Sequence, residues 1–402
     1  MMRTTPAAGV PSAAAFTPGD LDTPPAAQGW SMPAEWEPHD ATWIAWPHNR
    51  EDWPGKFEPI PWIYAEIVRL LAQGERVHIF VQPSQRNRFA KEVHALLERN
   101  DVNVSHVTFH TQATDRVWTR DSGPIFLTKK SRSKTGSGPR PLAMADFKFN
   151  AWAKYDNSAL DDQLPSVAAD YLEVPRFTAY AENDAGELQR FVLEGGSIDI
   201  NGAGCVLTTE ECLLSEVQQR NPGFSRERIE QALRDFLGVQ QVLWLDRGIA
   251  GDDTHGHIDD TARFVGPGTI VACVEPEKSD PNHAPMKENL RRLSKMRDVR
   301  DKPFTIAELP LPAPVYFAGQ RLPASYANFY IANTGVLVPV FNDPNDCRAL
   351  KILERLITDR PIIPVYCRDL VWGLGTLHCM TQQQPSALPP PPAAPRRPSR
   401  GQ

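Results

Sequence analysis

Cys379 follows a glycine-spaced turn, Gly373-Leu374-Gly375, and lies between His378 and polar residues instead of inside an apolar run. A thiol presented in this way can serve as a nucleophile if a neighbour holds the thiolate. The competing reading is a half-buried structural thiol. His257 and Asp259 stand two apart in GDDTHGHIDD (251–260). An extended segment would put both side chains on one face, where one moves a proton and the other holds a cation or orients the ring. His255 shares their parity and opens a second alternative, a metal site built from His255, His257, Asp259 and a thiolate. No further ligand pair at metal-like spacing accompanies them, so no metal is expected. Asp121 sits in WTRDSGP (118–124), a turn in which Arg120 is its expected ion partner. Glu194 opens the turn of LEGGSID (193–199). A carboxylate there repels phosphate, and the pattern of a dinucleotide or P-loop site is missing, so a nucleotide ligand is not expected.

A cysteine, a histidine and several carboxylates, in a chain with 10 tryptophans, suit a planar cation attacked by sulfur. A guanidinium fits, because two carboxylates can take its fork of N–H donors through charge-assisted bonds. A peptide carbonyl would call for an oxyanion hole and one orienting residue, not extra acids. A non-catalytic binding module is the alternative from another class.

The elements that must position these groups read as α/β. A helix is expected near 61–73, stopped by Gly74, followed by a buried strand over 77–81; further helices are expected over 86–100, 226–237 and 345–358. GPIFLT, GCVLTT, TIVACV and GVLVPV are short β-branched runs opened by glycine or turn residues, hence strands. Lys129–Arg140 reads as a polar surface loop. Polar motifs abut strands near Ser122, Ser197, Asp259, Asn328 and Cys379, at gaps of 75, 62, 69 and 51 residues. Without identity between units this spacing proves no repeat, yet it is what several β-rich modules would give if each sent one tip to a shared centre.

Composition bounds the rest. The 402 residues carry 43 basic and 49 acidic side chains, a net charge of −6, which disfavours a general nucleic-acid binder. No apolar stretch is long enough to span a membrane. Six scattered cysteines without a CxxC pair, and an N-terminus lacking a secretory apolar core, point to free thiols and the cytoplasm. Of 38 prolines, 12 fall in residues 1–29 and 385–402. These two segments are expected to be disordered tails, the second carrying Arg396, Arg397 and Arg400, around one domain spanning 30–384.

Longer stretches carry a resemblance. MPAEWEPHDATWIAWP (32–47), WTRDSGP, FNAWAKYDNSALDDQ (149–163), FVLEGGSIDINGAG (191–204), LTTEECLL (207–214), DTHGHIDD, ASYANFYIANTGVLVPVFNDPND (324–346) and LHCMTQQ run in family order. By them the chain resembles the agmatine deiminases, within the wider bacterial-type peptidylarginine deiminase family. The resemblance implies a pentein fold, an α/β propeller of about five ββαβ-type modules around a pseudo-fivefold axis with the site in its central channel. It also implies water-driven deimination of agmatine to N-carbamoylputrescine and ammonia, without metal or organic cofactor, by enzymes that are commonly homodimers. Carried over by position, Cys379 matches the nucleophile, His257 the general acid/base, and Asp259 and Asp121 the carboxylates that bind the guanidinium. Trp118 looks like the aromatic wall, Asn328 like a polar residue near the site, and Glu194 like a residue shaping it. Trp152 falls in a stretch, Ala151–Lys154, that reads as an apolar wall with one cation, favouring a decarboxylated substrate.

Two departures stand out. Leu374 interrupts the usual glycine-rich turn before the nucleophile and could narrow the mouth. Arg116 occupies a position where relatives often carry an acid, which bears on the amine end of agmatine. A deiminase acting on C-terminal peptidyl-arginine, and an amidinotransferase, are the alternatives with related chemistry.

Overall fold

One unit recurs in the computed structural model, which describes residues 23–129 and 140–387. The unit is an antiparallel strand pair whose second strand is followed by a helix and then a strand parallel to it. In chain order, Ile125–Lys129 pairs with Leu142–Asp146, and helix Leu164–Leu172 leads to Arg176–Thr178. Asp199–Ile200 pairs with Cys205–Thr209, and helix Arg226–Leu237 leads to Gln241–Leu245. Ala262–Gly266 pairs with Thr269–Val274, and helix His283–Leu293 leads to Thr305–Pro310. Tyr330–Ile331 pairs with Val336–Val340, and helix Asp346–Leu356 leads to Ile362–Tyr366.

The fifth unit joins the two ends of the described chain. Gln382–Pro385 lies antiparallel to His39–Ala45, and helix Ile60–Leu71 leads to the parallel strand Arg76–Val81. Each parallel pairing needs a crossover, and a helix supplies it in every unit. The late strand therefore positions whatever precedes it against a sheet built from the first third of the sequence.

Local sequence explains these elements. In Arg226–Leu237 the buried residues Ile229, Ala232, Leu233, Phe236 and Leu237 form one helical stripe. Gly238 ends the helix at φ +67°, where a Cβ would lie 2.5 Å from the Trp30 carbonyl oxygen. Val336–Val338 are buried without alternation, as suits a strand covered on both faces. Most expected helices lie within a residue or two of their places. Leu164–Leu172 and His283–Leu293 were not anticipated, because Pro165 and Pro285 obscure the pattern, although proline is tolerated in a first helical turn.

The tail boundaries need correction. Pro25–Gln28, expected to lie in a disordered segment ending at 29, forms a 3₁₀ turn packed against Arg226–Leu237, with Pro25 buried. At the other end order continues past 384. Pro385 closes the edge strand, where a missing N–H costs no ladder bond. Ser386 N then donates to Pro38 O at 2.7 Å and Ala387 N to Asp40 Oδ2 at 3.0 Å. The expected loop over 129–140 lies almost wholly outside the described residues, as do Arg396, Arg397 and Arg400. No described helix is long and apolar enough to cross a membrane, and all six cysteines are free.

Candidate active site

The segment leading into each unit's first strand carries the residues singled out by their chemistry. Trp118 and Asp121 precede Ile125, Glu194 precedes Asp199, His257 and Asp259 precede Ala262, Asn328 precedes Tyr330, and Cys379 precedes Gln382. The structure brings Asp121, Glu194, His257, Asp259, Asn328 and Cys379 into one buried cluster, with Trp118 and Trp152 in its wall.

Cys379 Sγ lies 3.0 Å from Asn328 Nδ2 and 3.7 Å from Asp259 Oδ2. Asn328 Oδ1 accepts from Thr376 Oγ1 at 2.7 Å and from the backbone N of His378 at 3.0 Å, so this one side chain both fixes the turn before Cys379 and touches its sulfur. Burial pushes the Cys379 thiol well up, and Asp259, Asp260 and Asp121 add to the shift. The free thiol is therefore protonated until a positive charge arrives beside it.

His257 stands among carboxylates. Its Nδ1 is 3.8 Å from Asp121 Oδ1 and 4.0 Å from Asp259 Oδ1, and its Nε2 is 3.7 Å from Glu194 Oε2. Burial alone would lower its pKa, but Asp121, then Cys212 and Glu194, outweigh that and hold it well above the usual imidazole value. Among the described residues neither ring nitrogen has a hydrogen-bond partner, and Glu194 Oε2 and Asp259 Oδ1 have none either. The 251–260 segment is not extended. His257 immediately precedes a 3₁₀ turn over Ile258–Asp260, which carries Asp259.

Asp121 accepts from Trp152 Nε1 at 2.9 Å and from Gly196 N at 3.0 Å. Burial raises it to about 6, against the opposing pull of His257. Its expected partner Arg120 instead points away, to Gln383 Oε1 at 2.8 Å and Glu35 Oε2 at 3.4 Å. Glu194 is bound by Arg220 Nε at 3.1 Å; burial raises its pKa, but Arg220 prevails and takes it to about 2. Gly196 is required by close approach, since a Cβ there would sit 2.6 Å from His257 Nδ1 and 2.7 Å from Asp121 Oδ1. Trp152, read as part of an apolar wall, is thus also a hydrogen-bond donor to the candidate binding acid.

Several residues of the site were not picked out from the sequence. His378 bridges Asp259 Oδ2 at 2.7 Å and Glu35 Oε2 at 2.8 Å. Glu35 also meets Arg263 Nη2 at 3.0 Å, and Arg263 reaches Asp199 at 2.9 Å. Asp260 accepts from Asn328 Nδ2 at 3.0 Å and is raised well above its usual range by burial and then Asp259. Cys212 joins Glu194 and His257 in one buried trio. The signals were adjacency: Glu35, His378 and Cys212 all lie inside the matched stretches.

By ligand type, two buried trios could take a metal: Glu194, Cys212 and His257, and Asp259, Asp260 and Cys379. In the first, Glu194 is already neutralised by Arg220; in the second, Asp259 is held by His378. His255 belongs to neither, because its ring turns to Ser215 Oγ at 3.1 Å.

A cavity of about 160 Å³ opens onto Cys379, lined by Trp118, Asp121, Trp152, Tyr155 and Leu374. Leu374 takes the left-handed conformation, φ +69°, that the turn demands, which costs a non-glycine residue about 1 kcal/mol.

The chain belongs to the Porphyromonas-type peptidyl-arginine deiminase family, whose description it matches over residues 31–385. It is 33% identical over 385 residues to an agmatine deiminase of Pseudomonas aeruginosa (strain LESB58), covering 90% of this chain and 97% of that one. The solved agmatine deiminase of Enterococcus faecalis superposes with a TM-score of 0.79 at 30% identity, over 91% of this chain and 98% of that chain. A C. jejuni agmatine deiminase solved with substrate bound gives a TM-score of 0.74 at 30% identity, over 89% and 97%.

Proposed function

We propose that this deiminase family member hydrolyses agmatine to N-carbamoylputrescine and ammonia through a covalent amidino-cysteine intermediate. The observation that carries the reading is Cys379 lying at the end of a cavity beside Asp121 and Asp259, with a histidine held cationic between those acids. Curated relatives named agmatine deiminase at this identity and coverage support the substrate.

A guanidinium is resonance-stabilised and remains protonated at neutral pH, so it must be held flat and its central carbon exposed. Asp121 Oδ1 and the unpartnered Asp259 Oδ1 accept its N–H groups, which fixes that carbon over Cys379 Sγ. The arriving cation offsets the acids that keep the thiol protonated, and with the substrate in place the thiol gives its proton to solvent and becomes the thiolate. Sulfur adds to the carbon. His257, charged, donates its proton to the departing nitrogen, and ammonia leaves an S-alkylthiouronium. His257, now neutral, takes a proton from water as its oxygen attacks the same carbon. Collapse breaks the C–S bond as the hydroxyl proton passes to sulfur, releasing the ureido product and the thiol. Asn328 steadies the sulfur, while Trp118 and Trp152 flank the alkyl chain.

Six unpaired thiols support a reducing compartment, the cytoplasm. Incubation with agmatine, scored for ammonia and ureido product, tests the reading. Cys379→Ala should lower turnover by on the order of 10⁴-fold or more while the far-ultraviolet circular dichroism is unchanged. Retained turnover in that variant defeats the proposal.

A further inference from the structure

Resting on the agmatine reading above, we propose that Asp52 and Arg116 form the subsite for the substrate's distal ammonium, with Asp52 Oδ2 as the atom that receives it. Both residues line the cavity that ends at Cys379. Asp52 Oδ1 takes Arg116 Nη1 at 2.6 Å, yet Asp52 Oδ2 and Arg116 Nε are buried without a hydrogen-bond partner among the described residues. The Asp52 side chain is only 1% exposed. A buried carboxylate oxygen left unpaired is costly, and an ammonium that reaches it removes the cost.

The pair is held in place from several sides. Arg116 lies over the Tyr155 ring at 4.3 Å, and its backbone N donates to Asp161 Oδ2 at 3.1 Å. Asp52 is followed by Trp53, whose Nε1 donates to Leu370 O at 2.9 Å and whose ring packs 5.7 Å from that of Trp118. Arg116 is therefore a neutralised partner and not a free cation facing the substrate.

The charge balance selects the ligand. Glu51, Asp52, Asp121 and Asp253 line the cavity against Arg116 alone, and Asp253 is bonded to Lys154. Four acids against those two cations leave two negative charges. Asp121 faces the guanidinium, so the mouth retains demand for a second cation. A distal carboxylate would instead meet Glu51 and Asp52.

The test compares agmatine with 1-butylguanidine, which keeps the guanidinium and the four-carbon chain but lacks the amine. In Asp52→Asn the ratio of kcat/KM for agmatine to that for butylguanidine should fall about twentyfold, mainly through KM for agmatine. An unchanged ratio, in a parent enzyme active on agmatine, overturns the subsite alone; a parent inactive on agmatine overturns the proposed activity as well. Should Asp52→Asn fail to fold, Arg116→Gln tests the subsite from the other side. Freeing Asp52 Oδ1 for the ammonium should raise the ratio severalfold, and a ratio that falls or stays constant overturns the assignment.

Discussion

The two sides of the buried cluster treat their polar groups differently. On one side Glu35 engages the Ile331 amide, Arg120, Arg263 and His378, and His378 passes the network on to Asp259. On the other, His257 has both ring nitrogens free of hydrogen bonds, and Glu194 Oε2 and Asp259 Oδ1 are likewise unpaired. Both sides are equally buried, so burial does not distinguish them. Groups whose bonding is satisfied by the protein act as scaffold. Groups held by charge alone, at 3.7–4.0 Å, keep their hydrogen-bonding capacity for a substrate or a water.

The contrast can be broken most severely at His257. His257→Gln should cut kcat by about 10³-fold, the scale of a lost general acid and base. The pH profile sharpens the same point. Activity should fall below about pH 6 as Asp121 takes a proton and loses its hold on the guanidinium. On the alkaline side it should fall as His257, held above its usual value, loses its proton. The alkaline limb should vanish in His257→Gln; an unchanged limb would assign it to another group.

Glu35→Gln attacks the scaffold side and should show up in stability first. Removing the charge takes the acidic partner from buried Arg120 and leaves Arg263 with Asp199, a loss of about 3 kcal/mol by denaturant titration. If it left stability intact and abolished turnover, the division between the two sides would be wrong. Trp152→Phe should be the mildest, raising KM for agmatine about tenfold by removing one charge-assisted donor from Asp121, with kcat nearly unchanged.

Much of this was legible in the chain. Apolar periodicity located Arg226–Leu237 to the residue, and short β-branched runs located the central strand in three of the five units, because local packing patterns decide those elements. The repeat was visible only as spacing, since its units share connectivity and not residues. Asp121 was misread in its partner: adjacency favoured Arg120, but the short helix Thr119–Ser122 turns the two side chains apart. Glu35 gave no signal of its own, as its partners lie 85 to 343 residues away.

By itself the sequence determined which side chains could do chemistry, and that each stands just before a strand. Nucleophile, acids and base are residue types, and residue types are read directly. Only the tertiary structure decided that the pairing of Gln382–Pro385 with His39–Ala45 brings Cys379 to a centre supplied by four other units. It alone decided which buried oxygens and nitrogens stay unpaired. Both depend on long-range closure, where the cost of burying polar groups is settled by partners that no local pattern encodes.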